Sequence, residues 1–153
     1  MSVTAPRGFR AAGTACGIKA SGELDLALVA AEGPAAVPVA GVFTSNRAAA
    51  APVQVSRAHL AATAGRAAAV VLSSGNANAA TGAAGRADAA RMCALVAKDL
   101  GVAAEEVLVC QTGLIGIPLP MERLEQGITP AVAALAGDVE AGMAAARAIM
   151  TTD

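Results

Sequence analysis

The stretch VLVCQTGLIGIPLP, residues 107–120, begins as a strand and is then interrupted by polar residues. Its first four residues are apolar and mostly β-branched or leucine, which predicts a buried strand. The tripeptide QTG breaks the apolar run, and Leu114 and Ile115 resume it before two prolines. Either a tight turn or a binding site would explain such an interruption. We expect Leu114 and Ile115 to anchor the loop to the core.

Strand and helix patterns interleave along the rest of the chain. Further strands are predicted at GELDLALV (22–29), whose alternation indicates a half-buried strand, at VAGVFTSN (39–46) and at AAAVVL (67–72). Helices are predicted at 56–65 with Ser56 as N-cap, at 83–100 with Gly101 as its stop, and over 130–150 with a break at Gly137 where Asp138 caps a second helix. This alternation predicts an α/β fold. We expect residues 1–153 to form a single domain.

The composition excludes several classes of protein. The chain has 153 residues, of which 56% are hydrophobic, so it is not a disordered chain. A net charge of −1, with two Phe and no Trp or Tyr, argues against binding to nucleic acid or to an anionic membrane. A core rich in alanine favours close approach of helices to a sheet. No targeting segment or membrane span is visible, and we expect a cytoplasmic protein.

The cysteines suggest neither a disulfide framework nor a zinc site. Cys16, Cys93 and Cys110 are an odd number without a CxxC pair, and the chain has one histidine. We expect buried, reduced thiols.

Three loops after strands carry polar groups that could form a site. In the first stretch, the Thr112 hydroxyl and the Gly113 N–H are two neighbouring donors, which would suit the developing oxyanion of an acyl-transfer reaction. The segment SSGNANAATG (73–82) has no GK[ST] and favours a structural role for its asparagines. The segment with Thr44, Asn46 and Arg47 is typical of a charged turn.

No catalytic base or nucleophile can be identified from the residues alone. His59, the single histidine, lies among alanines in a predicted helix, where a satisfied histidine is more common than a catalytic one. The carboxylates look like solvated faces and helix caps. Taken residue by residue, the chain is an α/β domain that holds part of a site.

Five segments taken together, in order and at similar spacing, resemble the first part of the ornithine acetyltransferases of arginine biosynthesis, also called bifunctional glutamate N-acetyltransferases. They are GFRAAGTACGIKASGELDLALV, AGVFTSNRAAAAPV, SSGNANAATGAAG, VLVCQTGLIGIPLP and ARAIMTTD. The resemblance implies the N-terminal part of a layered sheet-and-helix sandwich. It also implies an α chain of a precursor that cleaves itself at an Ala-Thr bond. The N-terminal Thr of the β chain is then the nucleophile.

The resemblance further implies a reaction and site residues. Acetyl passes from N-acetylornithine to glutamate through an acetyl-threonine on the β chain, without a cofactor. Thr112 and Gly113 match the oxyanion-hole pair, and Thr151 matches a substrate-binding threonine. Family members form assemblies of α–β pairs and differ in whether they also use acetyl-CoA, which the sequence leaves open.

Some features depart from the family pattern. Ser73, Ala80 and Gln111 stand where the family usually has Asn, Cys and Ser, and Gln111 could alter substrate preference through its neighbours. Family α chains continue past TTD to a substrate-binding lysine and the cleavage point, so we expect an incomplete α chain with an exposed apolar surface. Thr151 and Thr152 are not nucleophile candidates, since neither is N-terminal. There are two alternatives. One is a non-catalytic module that binds a small acid through backbone N–H groups, and the other is a structural fragment.

Overall fold

The structure is a computed structural model that describes residues 2–33 and 35–151. In chain order its elements are β1 (Phe9–Thr14), β2 (Leu26–Ala31), β3 (Val37–Pro38), α1 (Ala51–Ala62), β4 (Arg66–Ala67), β5 (Ala69–Asn76), α2 (Gly82–Leu100), a 3-10 turn (Ala104–Glu106), β6 (Val107–Leu114), α3 (Met121–Ala133) and α4 (Val139–Ala148). The main sheet has the order β1-β2-β5-β6, and β3 pairs with β4 in a separate short ladder. Among the strands of residues 2–33 and 35–151, β5 and β6 are the one pair that runs parallel.

Helices cover both faces of the main sheet. The larger core lies between one face and helices α1, α2 and α3, and it is filled by Leu, Val, Ile, Met and Ala. On the other face, α4 packs against β1 and β2 through alanines. A Cβ at Gly13 would lie 2.1 Å from the Ala144 carbonyl oxygen, so α4 rests directly on the backbone of β1. The α/β class and the close helix–sheet approach are therefore confirmed.

Strand β2 corrects one expectation about burial. Leu26, Ala27 and Leu28 are all buried, so the strand is not half-buried as its alternation predicted. The reason is that α4 covers the face that the pattern assigned to solvent.

Strands β5 and β6 extend beyond their apolar residues. Their parallel ladder continues from Ala69 paired with Val107 to Asn76 paired with Leu114. Backbone hydrogen bonds do not require apolar side chains. The polar segments SSGN and QTGL consequently lie side by side at one end of the sheet.

Two parts of the first half differ from the prediction. The strand predicted at 39–46 is wrong: this segment has no regular structure, and the Val42 side chain is fully exposed. The short ladder before this segment pairs Val37 with Ala67 and Pro38 with Arg66, and it ends before residue 39. Strand β1, conversely, was not predicted, because its FRAAGT sequence has few strand-forming residues.

Helix boundaries are partly as predicted. Helix α2 ends at Gly101, which is left-handed, and Asp138 caps α4 by accepting from the Ala141 N–H at 2.8 Å. Ser56 is not an N-cap: α1 begins earlier, with a proline in its first turn, and Ser56 lies inside it. The helix predicted from Pro130 begins instead at Met121, with Pro130 inside α3.

None of the helices in the described part of the chain combines the length and apolarity needed to cross a bilayer.

Candidate functional site

The end of β6 opens into a surface cleft of about 680 Å³. Thr112 and Gly113 are exposed there, as is Thr151, which follows α4. The lining residues are Lys19, Ser21, Glu23, Gly75, Thr112, Gly113, Leu114 and Thr151. The three residues that the sequence singled out as a site thus share one cleft.

The sheet register explains why Thr112 and Thr151 line the same cleft. Thr112 pairs with Ser74 of the parallel neighbour, so both side chains lie on the face that carries α4. The Ser74 hydroxyl donates to the Ala148 carbonyl at 2.5 Å, which holds the end of α4 against the sheet. Thr151 comes three residues later and reaches the same cleft.

Two glycines bring the backbone at this point unusually close. Gly75 and Gly113 pair across the ladder and have positive φ angles of 108° and 127°. A Cβ at Gly113 would lie 2.4 Å from the Gly75 carbonyl carbon, and a Cβ at Gly75 would lie 2.9 Å from the Ile18 side chain. A side chain at either position would separate the strand ends from each other or from the loop of residues 15–19. The two glycines therefore allow the strand ends and this loop to lie in direct contact.

The asparagines of residues 73–82 have the structural role that the sequence favoured. Asn76, which is buried, donates through Nδ2 to the carbonyls of Ile117 and Pro118 at 3.2 and 2.9 Å. Asn78 is buried too and donates to the Gly85 carbonyl at 2.9 Å. Together they hold the loop after β6 and the start of α2.

Gln111 is not part of the cleft lining, although its neighbours Thr112 and Gly113 are. Its Oε1 accepts from Asn78 Nδ2 at 2.6 Å, and its Nε2 lies 3.1 Å from the Met92 sulfur. Because neighbouring residues in a strand point to opposite faces, Gln111 faces α2 while Thr112 faces the cleft. Ser73, which pairs with Gln111, is also buried on that side. Ala80 adopts a left-handed conformation with φ of 59° and lines a separate cavity.

The expectation that Leu114 and Ile115 anchor the loop to the core is wrong. Each is 64% exposed, and Ile117 beside them is 46% exposed. The Asn76 amide holds this loop instead. The three side chains form an exposed apolar patch next to the cleft, which agrees with the expected apolar surface.

The remaining candidates lie outside the cleft lining. The segment with Thr44 and Asn46 is an exposed turn in which Asn46 N–H donates to the Thr44 hydroxyl at 3.1 Å. Arg47 is exposed in the same turn. His59 Nδ1 lies 2.8 Å from the Val107 carbonyl, at the opposite end of β6 and so about 16 Å along the strand from Thr112. It is the satisfied histidine that the sequence favoured, and it is not positioned as a base.

Asp25 is an important residue whose role was not predicted. Its carboxylate is fully buried and accepts the backbone N–H groups of Cys16, Ile18 and Lys19 at 2.7, 2.6 and 3.0 Å. These bonds fold the loop that carries Lys19 into the cleft. The only signal in the sequence was an acidic residue between leucines, which the alternation assigned to a solvent-facing side.

The cysteines are free thiols with different surroundings. Cys93 is buried, Cys16 is partly buried, and Cys110 is exposed, so the expectation of three buried thiols is wrong for Cys110. Burial, followed by the nearby Asp25 carboxylate, raises the pKa of the Cys16 thiol to about 12. Among residues 2–33 and 35–151, no three His, Cys, Asp or Glu side chains group closely enough to hold a metal ion.

Comparison with known proteins gives consistent matches over nearly the whole chain. The chain is 54% identical to the arginine biosynthesis bifunctional protein ArgJ of Mycobacterium bovis and 52% identical to that of Thermobifida fusca, with 99% and 100% of this chain covered. It spans only 38% and 39% of the length of these two relatives.

Solved structures agree with the sequence matches. An ornithine acetyltransferase from Mycobacterium tuberculosis, complexed with ornithine, matches with a TM-score of 0.94 at 53% identity, covering 99% of this chain and 80% of that one. The ArgJ protein of Bacillus halodurans matches with a TM-score of 0.92 at 35% identity, covering 100% and 77%. The sequence profile of the ArgJ family matches residues 10–153. The chain therefore belongs to the ArgJ family.

Proposed function

We propose that this chain is the α part of a self-processing acetyltransferase that moves acetyl from N-acetylornithine to glutamate. The observation that carries the proposal is the exposure of Thr112 and Gly113 at the end of β6, in a cleft whose lining includes two threonines but no histidine or cysteine. Neither threonine of that lining is an N-terminal residue. The proposal takes the nucleophile from a β chain, and the names of the relatives, which include an ornithine acetyltransferase, support an acetyl transfer that involves ornithine.

The proposed reaction begins with attack on the acetyl group by the N-terminal threonine of a β chain. Its hydroxyl oxygen forms a bond to the acetyl carbon, and its proton passes to the threonine's own terminal amine. The carbonyl oxygen becomes negative, and the Thr112 hydroxyl and Gly113 N–H donate to it. When the C–N bond breaks, ornithine leaves with that proton on its amine, and the acetyl group remains on threonine.

The second half of the reaction reverses these steps with a different amine. The amino group of glutamate attacks the acetyl-threonine ester, and the same two donors hold the oxygen as it becomes negative again. The C–O bond to threonine breaks, and the proton released by the attacking amine returns to the threonine hydroxyl. N-acetylglutamate is formed, no cofactor enters the reaction, and Thr151 contributes to binding of the amino acids.

We also infer the partners of the chain from this function. They are the β chain, N-acetylornithine and glutamate, with several α–β pairs in one assembly. The patch of Leu114, Ile115 and Ile117 beside the cleft supports a partner surface there, since large exposed apolar side chains in a group commonly mark interaction sites. Free thiols suit a cytoplasmic location.

Co-expression with a candidate β chain tests the proposed function. Acetyl transfer from N-acetylornithine to glutamate is expected in the complex and in neither chain alone, with acetyl-CoA assayed in parallel as a second donor. A complex that forms but transfers no acetyl group would contradict the proposal. Binding of acetylated amino acids by this chain alone, without transfer in the complex, would favour the small-acid binding module instead.

A further inference from the structure

One cationic side chain lies in the cleft beside the oxyanion donors. Lys19 contributes to the lining together with Thr112, Gly113 and Thr151. It also lines an adjoining cavity of about 590 Å³ that Thr151 and Arg147 share. Lys19 therefore belongs to the lining of both cavities, and it shares the first with every residue that the proposed reaction uses in this chain.

The ammonium group of Lys19 has capacity for a ligand. It donates one hydrogen bond, to the Leu24 carbonyl at 2.8 Å. An ammonium group has three donors, so two remain without a partner among residues 2–33 and 35–151. In the part of the chain that the structure describes, the one ion pair is between Arg91 and Glu125, and Lys19 has no carboxylate partner there.

The position of Lys19 is held by the protein and does not depend on its own flexible side chain alone. The buried Asp25 carboxylate accepts the Lys19 backbone N–H and that of Ile18. On its other side the loop packs on Gly75, where a Cβ would lie 3.4 Å from the Lys19 Cγ. A loop held by a buried carboxylate on one side and by the glycine of β5 on the other is fixed relative to Gly113, because Gly75 pairs with Gly113.

We propose that Lys19 binds the α-carboxylate of the amino-acid substrate and that Asp25 is the positioning residue that holds Lys19 in the cleft. The inference rests on the proposed function, because it takes the cleft to be the acetyl-transfer site. In an N-acetyl amino acid the α-carboxylate is attached to the carbon that bears the acetylated nitrogen. A cation next to the oxyanion donors would bind that group while the acetyl carbonyl faces Thr112. Glu23 lines the same cleft and would favour ligands that also carry an amine.

Lys19→Met in the assembled α–β enzyme tests the binding role. The Michaelis constant and the equilibrium dissociation constant for N-acetylornithine are expected to rise by roughly 10- to 100-fold, which is the usual loss for a hydrogen bond to a charged group. Turnover at saturation should change little. Lys98→Met is the matched control, since it removes the same charge from the exposed end of α2.

A change of ligand separates a carboxylate contact from a general structural effect. The wild-type assembly should bind N-acetylornithine more tightly than its α-carboxamide, and Lys19→Met should abolish this preference. Equal binding of the two ligands by the wild-type assembly, or binding of neither, would overturn the inference. This measurement needs no acetyl transfer, so a wild-type assembly that discriminates but does not turn over would contradict the proposed function and leave the assignment of Lys19 standing.

Asp25→Asn tests the positioning role. The asparagine amide would place N–H donors against backbone N–H groups that now donate to Asp25, so the loop should shift. The preference for the carboxylate ligand over the carboxamide should then fall, as in Lys19→Met. The double variant should be no worse than Lys19→Met alone, because Asp25 acts through Lys19. Asp99→Asn, on the exposed side of α2, is the control. Full discrimination in folded Asp25→Asn would overturn the positioning role.

Hydrogen exchange in the wild-type protein provides a second measurement in case Asp25→Asn does not fold. The amides of Cys16, Ile18 and Lys19 lie outside any helix or strand, yet each donates to Asp25. They should exchange as slowly as amides in the core strands. Exchange at the rate of an open loop would show that Asp25 does not hold this segment.

Discussion

At the scale of single residues, the polar side chains near the ends of β5 and β6 differ in what they contact. Asn76, Asn78 and Gln111 are turned toward other loops and α2, and their hydrogen bonds hold backbone in place. Thr112 points to the face opposite that of Gln111 and is exposed in the cleft. A shift of one position along the strand thus separates a structural side chain from a candidate catalytic one.

Thr112→Val in the assembled enzyme tests the oxyanion role. Valine has nearly the same shape but no hydroxyl, so turnover should fall by roughly 100- to 1,000-fold while assembly is retained. Steady-state kinetics and the elution volume of the complex check both parts. Thr44→Val, in the exposed turn away from the cleft, is the control. Unchanged turnover would remove Thr112 from the mechanism.

Thr151→Ala should act on binding. Loss of one neutral hydrogen bond to substrate is expected to raise the Michaelis constant by roughly 3- to 10-fold, with turnover nearly unchanged. The measurement is a substrate titration for each amino acid. If neither Michaelis constant changes, Thr151 is not part of the binding site, although it lines the cleft.

At the scale of elements, the cleft depends on how closely β5, β6 and the loop of residues 15–19 approach one another. Gly75 and Gly113 are the contact points, and both have positive φ. The buried Asp25 carboxylate holds this loop by accepting hydrogen bonds from three backbone N–H groups. Tertiary contacts at the end of the ladder where Gly75 pairs with Gly113 therefore determine the shape of the site.

Gly113→Ala should destabilise the fold and reduce activity. The new Cβ would lie 2.4 Å from the Gly75 carbonyl carbon, so the strands must move apart, and a positive φ adds strain. We expect the free energy of unfolding to fall by about 2–4 kcal/mol, measured by urea denaturation of the assembled enzyme.

Gly116→Ala is the matched control for that variant. Gly116 also has a positive φ, of 96°, but no atom lies within 4 Å of the position of a Cβ. Gly116→Ala introduces the backbone strain without the collision. The free energy of unfolding should therefore fall by about 1–2 kcal/mol, roughly half of the fall expected for Gly113→Ala. Equal losses for the two variants would show that close packing at Gly113 contributes nothing.

At the scale of the whole molecule, a sheet covered on both faces separates three thiols into different environments. Cys93 is buried in the main core, Cys16 lies against Asp25, and Cys110 is exposed. Burial raises the pKa of the Cys16 and Cys93 thiols to about 12. The nearby Asp25 carboxylate raises the pKa of Cys16 further, and the nearby Cys110 raises that of Cys93. Partial desolvation also raises the pKa of the Cys110 thiol.

Alkylation with iodoacetamide should therefore be selective and depend on pH. A pKa of about 12 leaves roughly one thiol in ten thousand as thiolate at pH 8, so Cys16 and Cys93 should react very slowly in the folded protein. Cys110 should be labelled first because its residue is exposed. Peptide mass spectrometry after timed labelling checks the order. Rapid labelling of Cys93 at pH 8 would contradict the packing described for the core.

The local patterns of the sequence determined much of this protein. The strand that begins at Val107, helix α2 with its Gly101 stop, and the Asp138 cap follow from residues close together in the chain. These features depend on side-chain periodicity and on backbone hydrogen bonds within a few residues, which a sequence displays directly. The interruption of an apolar strand by QTG also indicated Thr112 and Gly113 as candidate site residues.

Only the tertiary structure decided which faces and loops are covered. Helix α4 buries the second face of β2, Ser56 bonds to the backbone of Val109 from inside α1, and Asp25 holds a loop that the alternation gave no reason to connect with it. Each of these contacts except that of Asp25 joins residues more than fifty positions apart. Periodicity records how a residue alternates with its neighbours, but burial and hydrogen bonding depend on which distant element arrives at that face.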